Sequence, residues 1–483
     1  MSIKFLIKLS ACVATIVVLV TNIYIFTYPS VHPSACSWRC AATVRKSNID
    51  TDDMSNMEKS LYYTKRYLTD VKDQLFSTQG NKLKVTKGKK VPNVNLLAFG
   101  DPQIKGISET TPYRQRVDIF GNDYYLGHIY SMMKRRLDPT HVVVMGDLFS
   151  SQWISDSEYY NRTSRYMSRI FNRDTKLLED IKNENHDEDG QYEVDYETWG
   201  KKMQDVLKHK DFKSFNFGYN DVYSWDPTTD DHLFINLTGN HDIGYSGDVS
   251  YQHLARYNEL FGKDNFWIEY NTGTDHMWRI VVLNSMLLDG PALHPEMIDT
   301  NWEFLYQLFE RRFEGSTVLL THVPFYKPEG VCNDGPEFTY YPRSYKKDPR
   351  KGKTLRSQNH LTENTSRSVL NLIFDNDKPG IILTGHDHDG CETLYNKNTT
   401  SGNWKVSKHI LSNYDLAIKE VTVKSMMGQF KGNTGLVTGT FDGTSRSWKW
   451  SYTLCPFTNE HAWWIAKGST LVAGFLWSLY ILV

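Results

Sequence analysis

LFINLTGNHD, residues 233–242, joins a short apolar run to Gly-Asn-His-Asp, and four other pieces of the chain share its pattern. VNLLAFGD ends at Asp101, HVVVMGD at Asp147, STVLLTH at His322, and GIILTGHDH carries His386 and His388. Apolar runs of this length, rich in β-branched residues and bounded by Gly, read as buried strands. The class is therefore α/β. If the strands run roughly parallel, every polar residue that follows them emerges at one edge of one sheet, where open α/β folds hold their sites.

The residues delivered to that edge are Asp101, Asp147, Asn240, His322, His386 and His388. Carboxylate, amide oxygen and imidazole nitrogen suit hard and borderline divalent cations, and a shared carboxylate can hold two of them close together. Cys is absent from the set, which favours Mn, Fe or Zn in a working site over structural zinc. A single strand ending in Gly-Asp is commonplace, and a lone His after a strand is more often a satisfied polar residue than a ligand. Five such endings in one order, with Asn-His-Asp and His-x-His among them, point to a metal cage.

These pieces resemble the signature of the calcineurin-like metallophosphoesterase superfamily: D-x-H, G-D, G-N-H-[DE], a lone His and G-H-x-H, over about residues 93–413. FGDPQIKG, RVDIFGNDYYLGHIY and MGDLFSSQW are similar to one branch, the endoplasmic-reticulum phosphoesterases that remove ethanolamine phosphate from the mannose core of GPI anchors. The resemblance implies a four-layer α/β/β/α sandwich and two divalent cations, Mn first. Asp101 and His388 would serve one cation, Asp147 would bridge, and Asn240, His322 and His386 would serve the other. His241 would give a proton to the leaving oxygen, with Asp242 either setting its tautomer or serving as a turn residue. Two positions depart from the pattern. Gln103 stands where the superfamily has a His, leaving a weak ligand or a residue behind the ligands, and Ser150 stands where many relatives are acidic. Implied partners are GPI-anchored proteins as substrate and p24-type cargo receptors. The branch points to the second mannose. Another lumenal phosphoesterase or protein phosphatase, or a non-enzymatic cargo receptor on the same fold, are the rival readings.

Composition narrows the field. With 55 basic and 56 acidic residues among 483, the net charge is -1, and nothing calls for nucleic acid. Residues 1–29 contain Lys4, Lys8 and the apolar stretch LSACVATIVVLVTNIYIFTY, which reads as a signal anchor with its N-terminus cytosolic and the remainder lumenal. AWWIAKGSTLVAGFLWSLYILV, residues 462–483, reads as a second membrane helix, with a buried amphipathic helix or a cleaved GPI-attachment tail as alternatives. Residues 30–92 read as a lumenal stalk with a helical stretch over Met57–Leu75. Residues 93–457 form the catalytic domain.

Sequons at Asn161, Asn236, Asn364 and Asn398 agree with lumenal placement. Asn236, inside a strand, should be buried and unmodified, and the other three fall in loop-like sequence. Cys332 and Cys391 each follow a ligand motif and form the preferred disulfide, while Cys36 and Cys40 are spaced to close a small loop. An insertion over about 155–230 contains the acidic run NENHDEDGQYEVDYE, read as a solvated loop, and the aromatic run FKSFNFGYNDVYSWD, read as either a cleft lining or packing. The basic run PRSYKKDPRKGKTLR, residues 342–356, is read as a solvated surface or an anion contact. IKEVTVKS, GLVTGTF and SWKWSYTL alternate as antiparallel strands do, and would complete the two-sheet sandwich.

Overall fold

The structure, a computed structural model, describes residues 2–31, 35–38, 91–108, 110–209, 217 and 232–483. Most of the expected stalk, including Met57–Leu75 and Cys40, lies outside these residues, as does the aromatic run apart from Phe217. The helices are α1 (Ile3–Val31), α2 (Tyr113–Leu137), α3 (Asp156–Arg165), α4 (Lys176–Glu184), α5 (Tyr196–His209), α6 (Tyr251–Phe261), α7 (Pro295–Glu310), α8 (Glu363–Ile373) and α9 (Glu460–Leu482). The strands are β1 (Val94–Phe99), β2 (His141–Val144), β3 (Leu233–Asn236), β4 (Phe266–Tyr270), β5 (Trp278–Leu283), β6 (Ser316–Thr321) and β7 (Phe338–Tyr340). They continue with β8 (Leu355–Gln358), β9 (Gly380–Thr384), β10 (Cys391–Asn398), β11 (Asn403–Ser407), β12 (Leu416–Thr422), β13 (Asn433–Asp442) and β14 (Ser447–Pro456).

Two mixed sheets stack face to face. The first has the order β14-β13-β1-β2-β3 and the second β11-β10-β12-β9-β6-β5-β4. Strands β1, β2 and β3 are mutually parallel, as are β5, β6, β9 and β12. Alternation along each strand divides its side chains between two cores. Leu96, Ala98, Val143, Val318, Leu320, Ile381 and Leu383 meet between the sheets, while Leu97, Phe99, Val142, Val144, Leu319 and Ile382 turn outward. On the outer side of the first sheet Phe99 stacks edge-on to Tyr130 of α2 and to Phe171. Beyond the second sheet, the Arg279 side chain of β5 donates to the Ile373 carbonyl at the end of α8, and Trp267 of β4 stacks on Phe304 of α7. Strands covered on both faces are apolar throughout, which is why the central runs show no polar alternation.

The architecture is the expected α/β/β/α sandwich, but the single sheet edge is corrected. Asp101, Asp147, Asn240 and His241 follow strands of the first sheet, whereas His322, His386 and His388 follow β6 and β9 of the second. Apolar runs specify buried strands without saying which of two stacked sheets each one joins. Strand β12 is likewise antiparallel only to β10, and pairs in parallel with β9.

Helices α1 and α9 are each long and apolar enough to cross a membrane. They lie antiparallel: Lys4 and Lys8 sit over the Tyr480 ring, Trp477 donates to the Thr15 hydroxyl at 2.9 Å, and Asn22 donates to Thr470 at 3.3 Å. A Cys36–Cys455 disulfide joins the residues that follow α1 to the end of β14. This corrects the Cys36–Cys40 pairing, since the return of the chain through β14 brings a distant Cys beside the first helix. Cys332–Cys391 is present as expected.

Asn161 and Asn364 stand exposed on helices α3 and α8, not in loops, because Ser155 and Thr362 cap those helices by accepting the amides of Glu158 and Thr365. Asn236 is half-buried, with its side chain accepting the Tyr166 hydroxyl at 2.5 Å. The insertion supplies α3, α4 and α5, and within its acidic run Tyr192 and Val194 are buried. Phe217 packs on Trp267 and Phe304. In the basic run Lys351 is buried against Asp248 at 2.6 Å, whereas Arg350 pairs with Asp348 and stays exposed.

Candidate metal centre

The carboxyl ends of β1, β2, β3, β6 and β9 converge, and their loops interlock through short polar contacts. The Asp147 carboxylate lies at the centre. Its Oδ1 accepts the His241 backbone amide at 2.8 Å and lies 3.4 Å from His322 Nε2, and its Oδ2 accepts the Gln103 side-chain amide at 3.0 Å. Asn240 Oδ1 is 3.2 Å from His322 Nε2. Asp101 Oδ2 accepts the His386 amide at 2.9 Å and is 3.6 Å from His388 Nε2. Ligand atoms of Asp147, His322 and His386 all lie within 4.8 Å of one another. Every candidate ligand read from the sequence is thus in one cluster.

Two of the imidazoles are oriented by main-chain carbonyls. His322 Nδ1 donates to the Met145 carbonyl at 2.6 Å, which leaves Nε2 with its lone pair towards Asp147 and Asn240. His386 Nε2 donates to the Gln358 carbonyl at 3.0 Å and leaves Nδ1 as the free acceptor. A carbonyl on one ring nitrogen is the usual way a ligating His is fixed in tautomer and direction. Met145 and Gln358 carry no signal in the sequence, because they act through the backbone.

His241 sits at the mouth with 38% of its side chain exposed, its Nε2 3.8 Å from Asp147 Oδ2. Asp242 does not touch that ring. Its carboxylate accepts the Gly239 amide at 2.8 Å and the Phe149 amide at 3.2 Å, so it braces the turn, the second of the two roles read from the sequence. Gln103 enters the site with its amide nitrogen 3.2 Å from His388 Nε2, and half a turn of that amide would present Oε1 instead. Ser150 accepts from Arg162 at 3.2 Å and lies outside the ligand set.

The protein TED1 of Saccharomyces cerevisiae is 54% identical over 484 residues, covering 99% of each chain. Metallophosphoesterase 1 of Xenopus laevis is 23% identical over 267 residues, 50% of this chain and 57% of that protein. The chain belongs to the calcineurin-like metallophosphoesterases. Metallophosphoesterase 1 of Danio rerio is 23% identical over 235 residues, 44% of this chain and 51% of its own. No protein-family model matches the chain. This metallophosphoesterase is accordingly a metal-dependent phosphoester hydrolase.

Its site has the electrostatics of a cation cage. Asp101, Asp147 and Asp242 are all buried, and among the described residues no Lys or Arg forms an ion pair with any of them. Burial, and then the Asp147 charge, raises the Asp101 carboxyl well above the usual range, and the same two causes raise Asp242. Burial also opposes ionisation of Asp147, but His322 and His241 outweigh it and hold that carboxyl below its ordinary value. Burial lowers His322 and His388, and takes His386 down to about 3, which favours the neutral form of each ring. Neutral imidazole is the ligating form. Asp101 Oδ1 is fully enclosed without a hydrogen-bond partner. Buried carboxylates, neutral imidazoles and an orphaned oxygen together fit divalent cations.

Proposed function

We propose that this metallophosphoesterase is a phosphodiesterase of the endoplasmic-reticulum membrane, its catalytic domain lumenal, which removes ethanolamine phosphate from the second mannose of the GPI glycan. The observation that carries the reading is the attachment of the cage to an antiparallel apolar helix pair, through Cys36–Cys455 and the direct run of β14 into α9. A hydrolytic site held at a membrane suits a phosphodiester carried on a lipid-anchored glycan. The choice of ethanolamine phosphate rests on the FGDPQIKG, RVDIFGNDYYLGHIY and MGDLFSSQW stretches. Export of GPI-anchored proteins through p24-type receptors would follow from the trimmed glycan.

In this reading Asp101 and His388, with Gln103 as a weak ligand, would hold one cation, Asn240, His322 and His386 would hold the second, and Asp147 would serve both. Bound divalent cations, Mn first and Fe or Zn next, supply activated water and neutralise charge on the phosphoryl oxygens. The chain's own contribution is orientation and proton control. Asp147 is fixed by the His241 amide and Gln103, His322 and His386 are fixed by carbonyls, and His241 holds a proton at the solvent-facing edge for the departing sugar oxygen. A non-enzymatic receptor reading draws on Gln103 alone, where the family has His.

Mass spectrometry of GPI glycans from cells carrying Asp147→Asn, beside wild type and a deletion, tests the proposal. The expected result is one retained ethanolamine phosphate in the variant, as in the deletion. Normal glycans with normal cargo export in the variant would refute hydrolysis and leave the receptor reading.

A further inference from the structure

Helix α2 carries an apolar stripe that stands exposed among the described residues. Tyr113, Val117, Phe120 and Tyr124 are 81%, 39%, 50% and 42% exposed, and their spacing of four, three and four places them on one helical face. The neighbouring face of the same helix grips the base of the helix pair. Gly121 lies so close to Trp464 that a Cβ there would fall 1.8 Å from the indole ring, Tyr125 packs edge-on to Trp463, and His128 meets Phe26 and reaches the Ile25 carbonyl at 3.1 Å. Tyr24, Tyr28, Trp463, Trp464 and Lys467 gather where α2 crosses α1 and α9. Such a belt of aromatic rings and a Lys marks the headgroup level of a bilayer.

We propose that the first half of α2 lies in the headgroup–acyl boundary of the leaflet into which the helix pair inserts, with Tyr113, Val117, Phe120 and Tyr124 immersed and lipid as the occupant of the stripe. The stripe is continuous with the belt, because the face of α2 that packs on the belt through Gly121, Tyr125 and His128 adjoins the face that bears the stripe. Arg114 is exposed beside the stripe, as is Asp118, and the Arg169 guanidinium, paired with Asp123 at 3.3 Å, lies 5.7 Å from the Phe120 ring, so Arg114 is the cation placed to meet an anionic headgroup. The immersion bears on the metal centre, because the loop that leaves β1 with Asp101 and Gln103 runs directly into α2. Arg116 of α2 closes that loop by donating to the Ser108 and Thr111 carbonyls at 2.7 and 2.8 Å, and Arg165 ties the Lys105 carbonyl to Asp123. Resting α2 on the bilayer fixes how far the cage stands above the lipid, and so which phosphoesters reach it.

The inference rests on the membrane reading of α1 and α9, and the test separates the two. Full-length protein in a Cys12→Ala, Cys40→Ser background receives single nitroxide labels at Val117→Cys and Phe120→Cys. Val20→Cys and Leu471→Cys report on the helix pair, and Ser401→Cys on bulk water. Each is placed in phosphatidylcholine nanodiscs doped with phosphatidylinositol and read by its relative accessibility to oxygen and to a water-soluble nickel chelate. The expected result is oxygen-dominated relaxation at 117 and 120, shallower than at 20 and 471 and opposite in sense to 401. Nickel-dominated relaxation at 117 and 120, with 20 and 471 in lipid, would overturn the proposal alone. Nickel access at 20 and 471 would overturn the membrane reading beneath it. Dipolar broadening between labels at 120, or loss of access to both relaxants, would assign the stripe to a second copy or another protein.

Discussion

Asp101→Asn separates a metal ligand from a merely structural carboxylate by the sign of its effect. In the metal-free chain Asp101 is fully buried, its Oδ1 has no partner, and burial together with the Asp147 charge raises its pKa well above the ordinary carboxylate value. The folded state then binds that proton more tightly than the unfolded chain does. The deficit is therefore absent below the unfolded pKa, grows as pH rises towards the folded pKa, and is complete above it. Asparagine keeps an oxygen to accept the His386 amide, which Asp101 Oδ2 accepts at 2.9 Å, and it removes the charge. Asparagine leaves an unpaired amide N–H where Oδ1 stood but removes a buried charge, whose burial costs more than that of a neutral group, so in chelator at pH 7.5 the variant should be more stable than wild type by about 1–3 kcal/mol. For a domain of this size that corresponds to a rise in Tm of about 1–4 °C. Added Mn should reverse the ranking: at a thousandfold excess over Kd the wild type gains about 4 kcal/mol, and the variant gains far less. Intrinsic fluorescence melting of the detergent-solubilised full chain, with and without Mn, reads both effects. A variant that melts below wild type in chelator and still gains from Mn would show that Asp101 is a structural hydrogen-bonding group and not a ligand.

Gly239→Ala would place a Cβ 2.2 Å from both the amide nitrogen and the Oδ1 of Asp147, and should lower turnover of an aryl phosphodiester by about a hundredfold while the protein still folds. Turnover within a few-fold of wild type would show that the Asp147 position is not critical. His241→Asn should reduce kcat by about 10²–10⁴ with metal content unchanged by elemental analysis, and loss of metal in parallel with rate would make His241 a ligand instead. His141 and His253 are both lowered to about 3, chiefly by burial, so the unfolded chain takes up protons first as pH falls below about 6.5. Their contribution is complete above that value and is lost progressively below it. Wild-type Tm should therefore fall relative to His253→Gln between pH 7 and 5, and parallel profiles would refute the assignment.

Much of the site was legible because strand-ending motifs combine two local signals, an apolar run and a polar residue with metal-ligand chemistry. Neither signal depends on long-range pairing. The division of those motifs between two sheets was not legible, since β1, β2, β6 and β9 are equally apolar and equally buried on both faces. Cys36–Cys455 was hidden for a related reason: 419 residues separate partners that only the return of β14 to the first sheet brings together. The helix bearing Asn161 could have been found, because Ser155-Asp156-Ser157-Glu158 has the capping-box spacing. Polar composition outweighed that signal. Asp242 was open between two roles until the Gly239 and Phe149 amides showed which one its oxygens fill.

Backbone conformation gives the cage an independent mark. Asp101, Gln103, Asp147 and His386 all have positive φ, at 35°, 41°, 47° and 75°. Such a conformation costs an L-residue about 1–2 kcal/mol, and it recurs here in loops leaving strands of both sheets. In each loop the left-handed turn breaks the extended course of the chain where a polar side chain must lean over the sheet edge. The glycines beside them make this possible. A Cβ at Gly146 would lie 2.6 Å from His322 Nδ1, and one at Gly385 would lie 2.7 Å from Asp101 Oδ1. Folding alone would favour Gly at the strained positions and apolar residues at the buried ones. That charged and polar groups occupy them, with one carboxylate oxygen unpaired, means the loops are shaped for a ligand that compensates both costs, and clustered carboxylate and imidazole make that ligand a cation.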